Sequence, residues 1–107
     1  MNSKVHSGAV AELFVCQYFL SMGLEVFRNV AASGPIDILL YNKENGKSLP
    51  IDVKSTNTPY TRADGSLMLN IKIGKRDDGV WNIGYVHGEA SVRLPEGFWE
   101  ALGYEDT

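Results

Sequence analysis

The chain has 107 residues, of which 44% are hydrophobic, and it carries a formal net charge of −3. This length suits a single domain over residues 1–107, and the composition excludes a disordered chain, which would be poor in apolar and aromatic residues. The mildly acidic balance argues against a non-specific polyanion binder, since such proteins carry a basic excess.

The sequence predicts a cytoplasmic location. Its single cysteine, Cys16, excludes an intrachain disulfide and fits a reducing compartment. No apolar run approaches the roughly 18 residues that cross a bilayer, and the N-terminal residues lack the apolar core of a signal peptide. We therefore expect a cytoplasmic protein, or a viral or phage protein that acts in the host cytoplasm, with no membrane partner.

The first half of the chain predicts a helix followed by three strands. Apolar residues recur at helical spacing over residues 3 to 22, and Gly23 supplies an end. Residues 24 to 30 alternate apolar and polar side chains, which is typical of a strand. Two further strands are predicted at about 35 to 42 and 48 to 55.

The second half predicts more strands and a short C-terminal helix. The strands are expected at 66 to 73, 80 to 88 and 91 to 95, and a helical turn or two at 96 to 103. The last two strands are expected to pair with each other. One helix followed by a series of strands predicts an α+β fold with a mixed sheet.

The central hairpin receives a specific register prediction. The Asn-Gly pair at 45–46 favours a two-residue type I′ turn, which places Leu39 opposite Asp52 and Asp37 opposite Lys54. Opposed residues share a face, as do residues two apart on one strand, so Asp37, Asp52 and Lys54 are expected to converge. The other face then collects an aliphatic layer of Ile36, Ile38, Leu40, Ile51 and Val53.

Two carboxylates and a lysine on one strand face suit metal-assisted attack on a phosphodiester. Mg²⁺ is a hard ion that prefers oxygen ligands, and it polarises a phosphoryl oxygen and lowers the pKa of a bound water. Lys54 would stabilise the developing negative charge or orient the attacking water. The alternative is a surface hairpin whose Asp and Lys form a salt bridge worth about 0 to 1 kcal/mol.

Glu12 adds a third carboxylate from the helix. Its neighbours three and four positions away, Gly8, Ala9, Val15 and Cys16, are small or apolar. Its carboxylate is therefore expected to emerge from the apolar side of the helix, where it requires a cation. The alternative is a residue at the helix boundary that reaches water or bonds a nearby backbone amide.

These residues together resemble the motif set of the PD-(D/E)XK nuclease superfamily. Glu12 in "GAVAE", Asp37 in "GPID" and Asp52 with Lys54 in "IDVKST" occur in the family's order, and the resemblance covers residues 4 to 56. It implies a restriction-endonuclease-like core, in which an N-terminal helix precedes a sheet whose central hairpin carries the active site.

The resemblance also implies an activity, a Mg²⁺-dependent endonuclease that cleaves DNA, with Mn²⁺ as a substitute metal. Asp37 and Asp52 would ligate the metal, Lys54 would assist the nucleophile, and Glu12 would bind the metal directly or through water. The chain is most similar to small Holliday-junction-resolvase-like and intron-type homing endonucleases, which implies branched or site-specific DNA. A turn-rich segment stands where the family has a second core helix.

Partners follow from the remaining charged and aromatic residues. Basic residues of the second half form a candidate DNA contact: Lys72, Lys75, Arg76 and Arg62. A plain solvated turn is an open alternative for them. Because so short a chain offers little surface to a duplex and cutting both strands needs two sites, a homodimer or higher homo-oligomer is predicted, with Phe98 and Trp99 as interface candidates.

A second functional hypothesis is a catalytically silent nuclease-like fold that binds nucleic acid or protein. The acidic net charge and the little chain left for substrate recognition favour it. His6 and His87 have no cysteine or carboxylate at zinc-ligand spacing, so no zinc site is predicted.

Overall fold

A computed structural model describes residues 3–31 and 34–104, with side chains in the first helix from residue 7 onward. The elements in chain order are α1 (Ser3–Ser21), β1 (Glu25–Arg28), β2 (Ile38–Asn42), β3 (Lys47–Thr56), β4 (Tyr60–Thr61), β5 (Leu67–Met68), β6 (Gly74–Lys75), β7 (Trp81–Val86), β8 (Ser91–Arg93) and α2 (Phe98–Ala101). This order confirms an α+β domain with an N-terminal helix. None of the helices within these ranges is both long and apolar enough to cross a membrane.

Six strands of the described chain form one mixed sheet in the order β1-β2-β3-β7-β6, with β8 also paired to β7. β3 and β7 run parallel, and the other neighbouring pairs in this sheet are antiparallel. The pairing of β8 with β7 confirms the predicted final strand pair. All six residues of β7 are buried, which identifies it as the centre of the domain.

The core lies on one face of the sheet, beneath α1. Val15 and Phe19 of the helix meet Ile38, Leu40 and Ile51 of the hairpin, and all five side chains have no exposed surface. Burying each such side chain stabilises the fold by about 1.5–3 kcal/mol. The predicted aliphatic layer is therefore confirmed at its centre, whereas Ile36 and Val53 at its end are partly exposed.

The short helix α2 completes this core. Phe98 is 1% exposed, and its ring centroid lies 5.5 Å from that of Phe19 and 5.9 Å from that of Trp81. Trp99 is partly buried against the same cluster. The prediction that Phe98 lies at a subunit interface is wrong, because the core of the single chain already encloses its side chain.

The connection between β2 and β3 is longer than predicted. Asn42 pairs with Lys47, so residues 43–46 form a four-residue loop instead of a two-residue turn. The carbonyl of Asn42 accepts hydrogen bonds from the backbone N–H groups of Asn45 and Gly46, at 3.3 and 2.8 Å. Gly46 has a φ of 76°, the left-handed conformation that favours glycine.

This loop shifts the hairpin register by two residues. Leu39 pairs with Pro50, so the predicted pairing of Leu39 with Asp52 is wrong, and so is that of Asp37 with Lys54. Because side chains alternate with a period of two, a shift by two residues leaves every side chain on its predicted face. Asp52 and Lys54 therefore still point away from the core.

The segment between β3 and β7 also departs from prediction. The strand expected over 66 to 73 is reduced to β5, which pairs with β4 in a separate two-stranded sheet. Ile71 and Ile73 instead cover Gly84 of β7, where an added Cβ would lie 3.1 Å from an atom of each isoleucine. The alternating pattern thus reflects packing against a sheet face, and described residues 57–80 contain no helix.

Asn42 links the hairpin loop to the end of α2. Its side chain is buried, its Nδ2 donates to the Leu102 carbonyl at 2.9 Å, and its Oδ1 accepts from the Glu44 N–H at 3.1 Å.

Because Asn42→Ala removes both hydrogen bonds, we expect it to lower the free energy of unfolding in urea by about 1–3 kcal/mol. The exposed Asn70 is the control, and Asn70→Ala should change the free energy of unfolding by less than about 0.5 kcal/mol. Equal losses in both variants would contradict the role of Asn42.

Candidate functional site

Asp37 stands immediately before β2 and is fixed by its backbone on both sides. Its N–H donates to the Ile51 carbonyl at 2.8 Å, and its carbonyl accepts from the Asn29 N–H at 2.8 Å. Its carboxylate Oδ2 accepts a hydrogen bond from the Val53 N–H at 2.7 Å. Asp37 is thus held against β3 on both sides of Asp52, by its backbone N–H at Ile51 and by its carboxylate at Val53.

Asp52 lies on β3, on the sheet face opposite the core, and is largely buried. Its side chain is 15% exposed, and its Oδ2 lies 3.0 Å from Lys54 Nζ and 2.9 Å from Arg76 Nη1. The structure therefore brings together three of the residues singled out by the sequence motif, Asp37, Asp52 and Lys54, and adds Arg76 to them.

Arg76 follows β6 and is held in place by several acceptors. Its guanidinium binds the carboxylate of Asp78 through two hydrogen bonds, at 2.8 and 3.2 Å. It also lies 3.4 Å from Asn82 Oδ1 and 3.5 Å from the Pro35 carbonyl. Planar guanidinium groups suit this two-pronged recognition of carboxylates and phosphates. The sequence singled out Arg76 as a DNA contact and did not anticipate its ion pair with Asp52.

The other basic residues grouped with Arg76 lie outside this cluster of ion pairs. Lys75 Nζ lies 6.0 Å from the ring centroid of Trp81. Lys72 and Arg62 are exposed, and Arg62 belongs to the turn that joins β4 to β5. Of the four predicted DNA contacts, the structure places only Arg76 against the carboxylates.

Glu12 has a partner that the sequence analysis missed. Arg28 of β1 contacts Glu12 Oε1 through Nε and Nη2, each at 3.1 Å. This arginine supplies the cation that a carboxylate on the apolar side of α1 was expected to require. The sequence did offer a sign of this ion pair, because Arg28 is a basic residue in the strand that follows the helix and runs back along it.

Within ranges 3–31 and 34–104, no three His, Cys, Asp or Glu side chains are grouped to hold a metal ion. The structure thus pairs Asp37 with Asp52 but does not add Glu12 to them. The side chain of His6 lies outside the described residues. His87 packs edge-on against Tyr85, with ring centroids 5.0 Å apart.

The electrostatics of the pair are those of two carboxylates that repel each other. The pKa of Asp37 is raised from 3.8 to about 6, chiefly by burial. The hydrogen bond from the Val53 N–H opposes this rise, whereas the hydrogen bond with Asp52 and the charges of Asp52 and Glu12 add to it. A bound cation would relieve this repulsion.

The donor set fits a hard divalent cation. Mg²⁺ is commonly bound by one or two carboxylates and keeps several waters, so Asp37 and Asp52 suffice as protein ligands.

Comparisons with known proteins return no relatives. No protein-family model matches the chain, and no curated protein or solved structure matches it.

The raised pKa of Asp37 predicts how the metal-free protein responds to pH. Because the folded state holds this proton more tightly than the unfolded chain does, the free energy of unfolding should fall as pH rises from about 4 to about 6 and then level off. Asp37→Asn keeps an acceptor for the Val53 N–H without the charge. We therefore expect this variant to be more stable than wild type in urea at pH 7 with EDTA. Its free energy of unfolding should also fall less steeply than that of wild type between about pH 4 and about pH 6.

Glu44→Gln, an exposed change on the β2–β3 loop, serves as the control and should keep the wild-type slope. An Asp37→Asn variant that is less stable than wild type at pH 7 would show that the charge of Asp37 does not destabilise the folded state.

Proposed function

We propose that the protein is a Mg²⁺-dependent endonuclease of restriction-endonuclease-like fold that hydrolyses DNA phosphodiester bonds in the cytoplasm. The supporting observation is the pairing of Asp37 with Asp52, with Lys54 Nζ 3.0 Å from Asp52, on a sheet face that faces solvent. Cys16 is buried and carries a free thiol, which fits a reducing compartment.

Each side chain has a role in this proposal. Asp37 and Asp52 hold Mg²⁺, which when bound polarises a phosphoryl oxygen and lowers the pKa of its water. Lys54, whose side chain is 44% exposed, reaches solvent and orients the attacking water or stabilises negative charge. Arg76, held by Asp78 and Asp52, contributes positive charge that attracts a phosphate. Glu12 acts at longer range through its charge, since Arg28 engages its carboxylate.

A second candidate function, a catalytically silent module that binds nucleic acid or protein, is supported by the same ion pairs. Lys54 and Arg76 both contact Asp52 Oδ2, at 3.0 and 2.9 Å, so this carboxylate is neutralised without a metal ion. If these contacts hold against millimolar metal, the site is structural. Metal binding therefore distinguishes the two candidates.

Calorimetric titration with Mn²⁺ provides that test. We expect wild type to bind the ion, Asp37→Ala to lose binding because one of two carboxylate ligands is gone, and Glu44→Gln to bind like wild type. Absence of binding to wild type at millimolar Mn²⁺ would favour the silent module.

Cleavage of plasmid, hairpin and branched DNA with Mg²⁺ tests the catalytic roles. Asp52→Ala and Lys54→Ala should each lower the cleavage rate by about 100-fold or more, because the first removes a metal ligand and the second a positive charge at the reacting phosphate. Lys43→Ala is the control, since Lys43 is exposed and lies 3.9 Å from Glu25 in a weak surface pair. Undiminished cleavage by both active-site variants would refute the assignment.

The proposal includes a symmetric homodimer, and we propose α1 as its interface. Four apolar side chains of this helix are between 42% and 58% exposed: Val10, Leu13, Phe14 and Leu20. None of them is charged, so two copies can pack helix against helix without burying an unpaired charge. A second copy is therefore the partner that we propose for this face.

Light scattering at high micromolar concentration should report a dimer. Leu13→Glu should give a monomer, because it places a charge at the centre of the face. Leu67→Glu, a change of the same kind at a residue 70% exposed on β5, should leave the dimer intact. A wild-type monomer with full activity would disprove the dimer.

A further inference from the structure

The face of the sheet that carries the candidate site is open over β1, β2 and β3. On this face β1 presents Phe27 and β2 presents Leu39, which pair directly with each other and are 54% and 39% exposed. Leu39 in turn pairs with Pro50 of β3, which is partly exposed. These three residues form a row across three strands, which we call the Phe27 row.

The Phe27 row continues into the candidate site. Asp52 and Lys54 lie two and four residues beyond Pro50 on β3 and point to the same face. Strand spacings place the backbone of Phe27 about 12 Å from that of Asp52. One strand of a duplex advances about 3.4 Å per nucleotide, so a nucleotide over Phe27 lies a few positions from a phosphate at Asp52.

A second aromatic residue belongs to the same surface. Tyr41 lies two residues from Leu39 on β2, on the same face, and is partly exposed. Its position is diagonal to Phe27, which is within reach of an aromatic side chain. An open sheet face with exposed aromatic rings is a surface on which unpaired bases stack.

We propose that the Phe27 row binds an unpaired base of the DNA strand whose phosphate lies at Asp37 and Asp52. The preferred substrate would then contain single-stranded or unpaired nucleotides beside the cut, because bases within a duplex have no free face to offer the ring. This inference rests on the proposed function and names its substrate class.

The row fits a base better than a second protein chain. It offers two exposed apolar side chains, whereas a stable protein interface uses roughly 20–30 residues from each side. Glu25 and Lys43 form a charged pair at the same end of β1 and β2, 3.9 Å apart. The larger uncharged face is on α1, on the other side of the sheet.

Binding without metal tests the inference apart from catalysis. In EDTA, the anisotropy of labelled oligonucleotides of about twelve nucleotides would compare a single strand, the matching blunt duplex and a duplex with an unpaired loop. Wild type should bind the single strand and the looped duplex more tightly than the blunt duplex. Phe27→Ala should weaken single-strand binding by about 5-fold to 150-fold, the range expected for one stacked base, and leave blunt-duplex binding unchanged.

Two further variants complete the experiment. Phe27→Trp should retain single-strand binding, and its indole fluorescence should be quenched on titration with the oligonucleotide, a readout that a purely structural role would not produce. Met22→Ala, at a residue 49% exposed in the turn after α1, should bind like wild type.

Three results would overturn the inference. They are unchanged single-strand binding by Phe27→Ala, a wild-type preference for the blunt duplex, and loss of dimerisation in Phe27→Ala with DNA binding intact. Because these measurements need neither metal nor cleavage, they can fail while Asp52→Ala and Lys54→Ala still abolish nuclease activity, and the reverse also holds.

Discussion

The hydrogen bond from the Val53 N–H to Asp37 Oδ2, 2.7 Å long, is the interaction on which the site depends. Asp37 also donates its own N–H to the Ile51 carbonyl, so it bonds to the residues on both sides of Asp52. These two bonds hold the carboxylate of Asp37 next to Asp52, whose own carboxylate is held by Lys54 and Arg76. The resulting repulsion is offset by the cations of Lys54 and Arg76, and it is what a divalent ion would remove.

The sequence predicts this convergence even though it misplaces the turn. The Asn-Gly pair predicts a two-residue turn, whereas the loop has four residues and Leu39 pairs with Pro50. The error is an even number of residues, so the faces of Asp37, Asp52 and Lys54 are unchanged. A register shift by one residue would instead have placed the side chains of Asp52 and Lys54 on the core face of the sheet. The alternation of side chains along the hairpin therefore predicts the face of each residue correctly even when the predicted register is wrong by two.

Residues brought in from distant parts of the chain were not predictable in the same way. Arg76 reaches Asp52 from 24 positions away, and it does so because β6 pairs with β7 and β7 runs parallel to β3. No local pattern specifies that parallel pairing. The same long-range packing misled the strand prediction at 66 to 73, where Ile71 and Ile73 alternate in order to cover Gly84.

The position of the site follows from how so short a chain covers its sheet. α1 and α2 pack on one face, and on the other face Ile71, Ile73 and Arg76 cover β7 but leave β1 and β2 open. The boundary between the covered and open parts falls at β3. Asp52 is 15% exposed on that strand, and Lys54 is 44% exposed. Charges at such a boundary interact more strongly than they would in water, because part of their surroundings is protein, and they remain accessible to a substrate that approaches over the open strands.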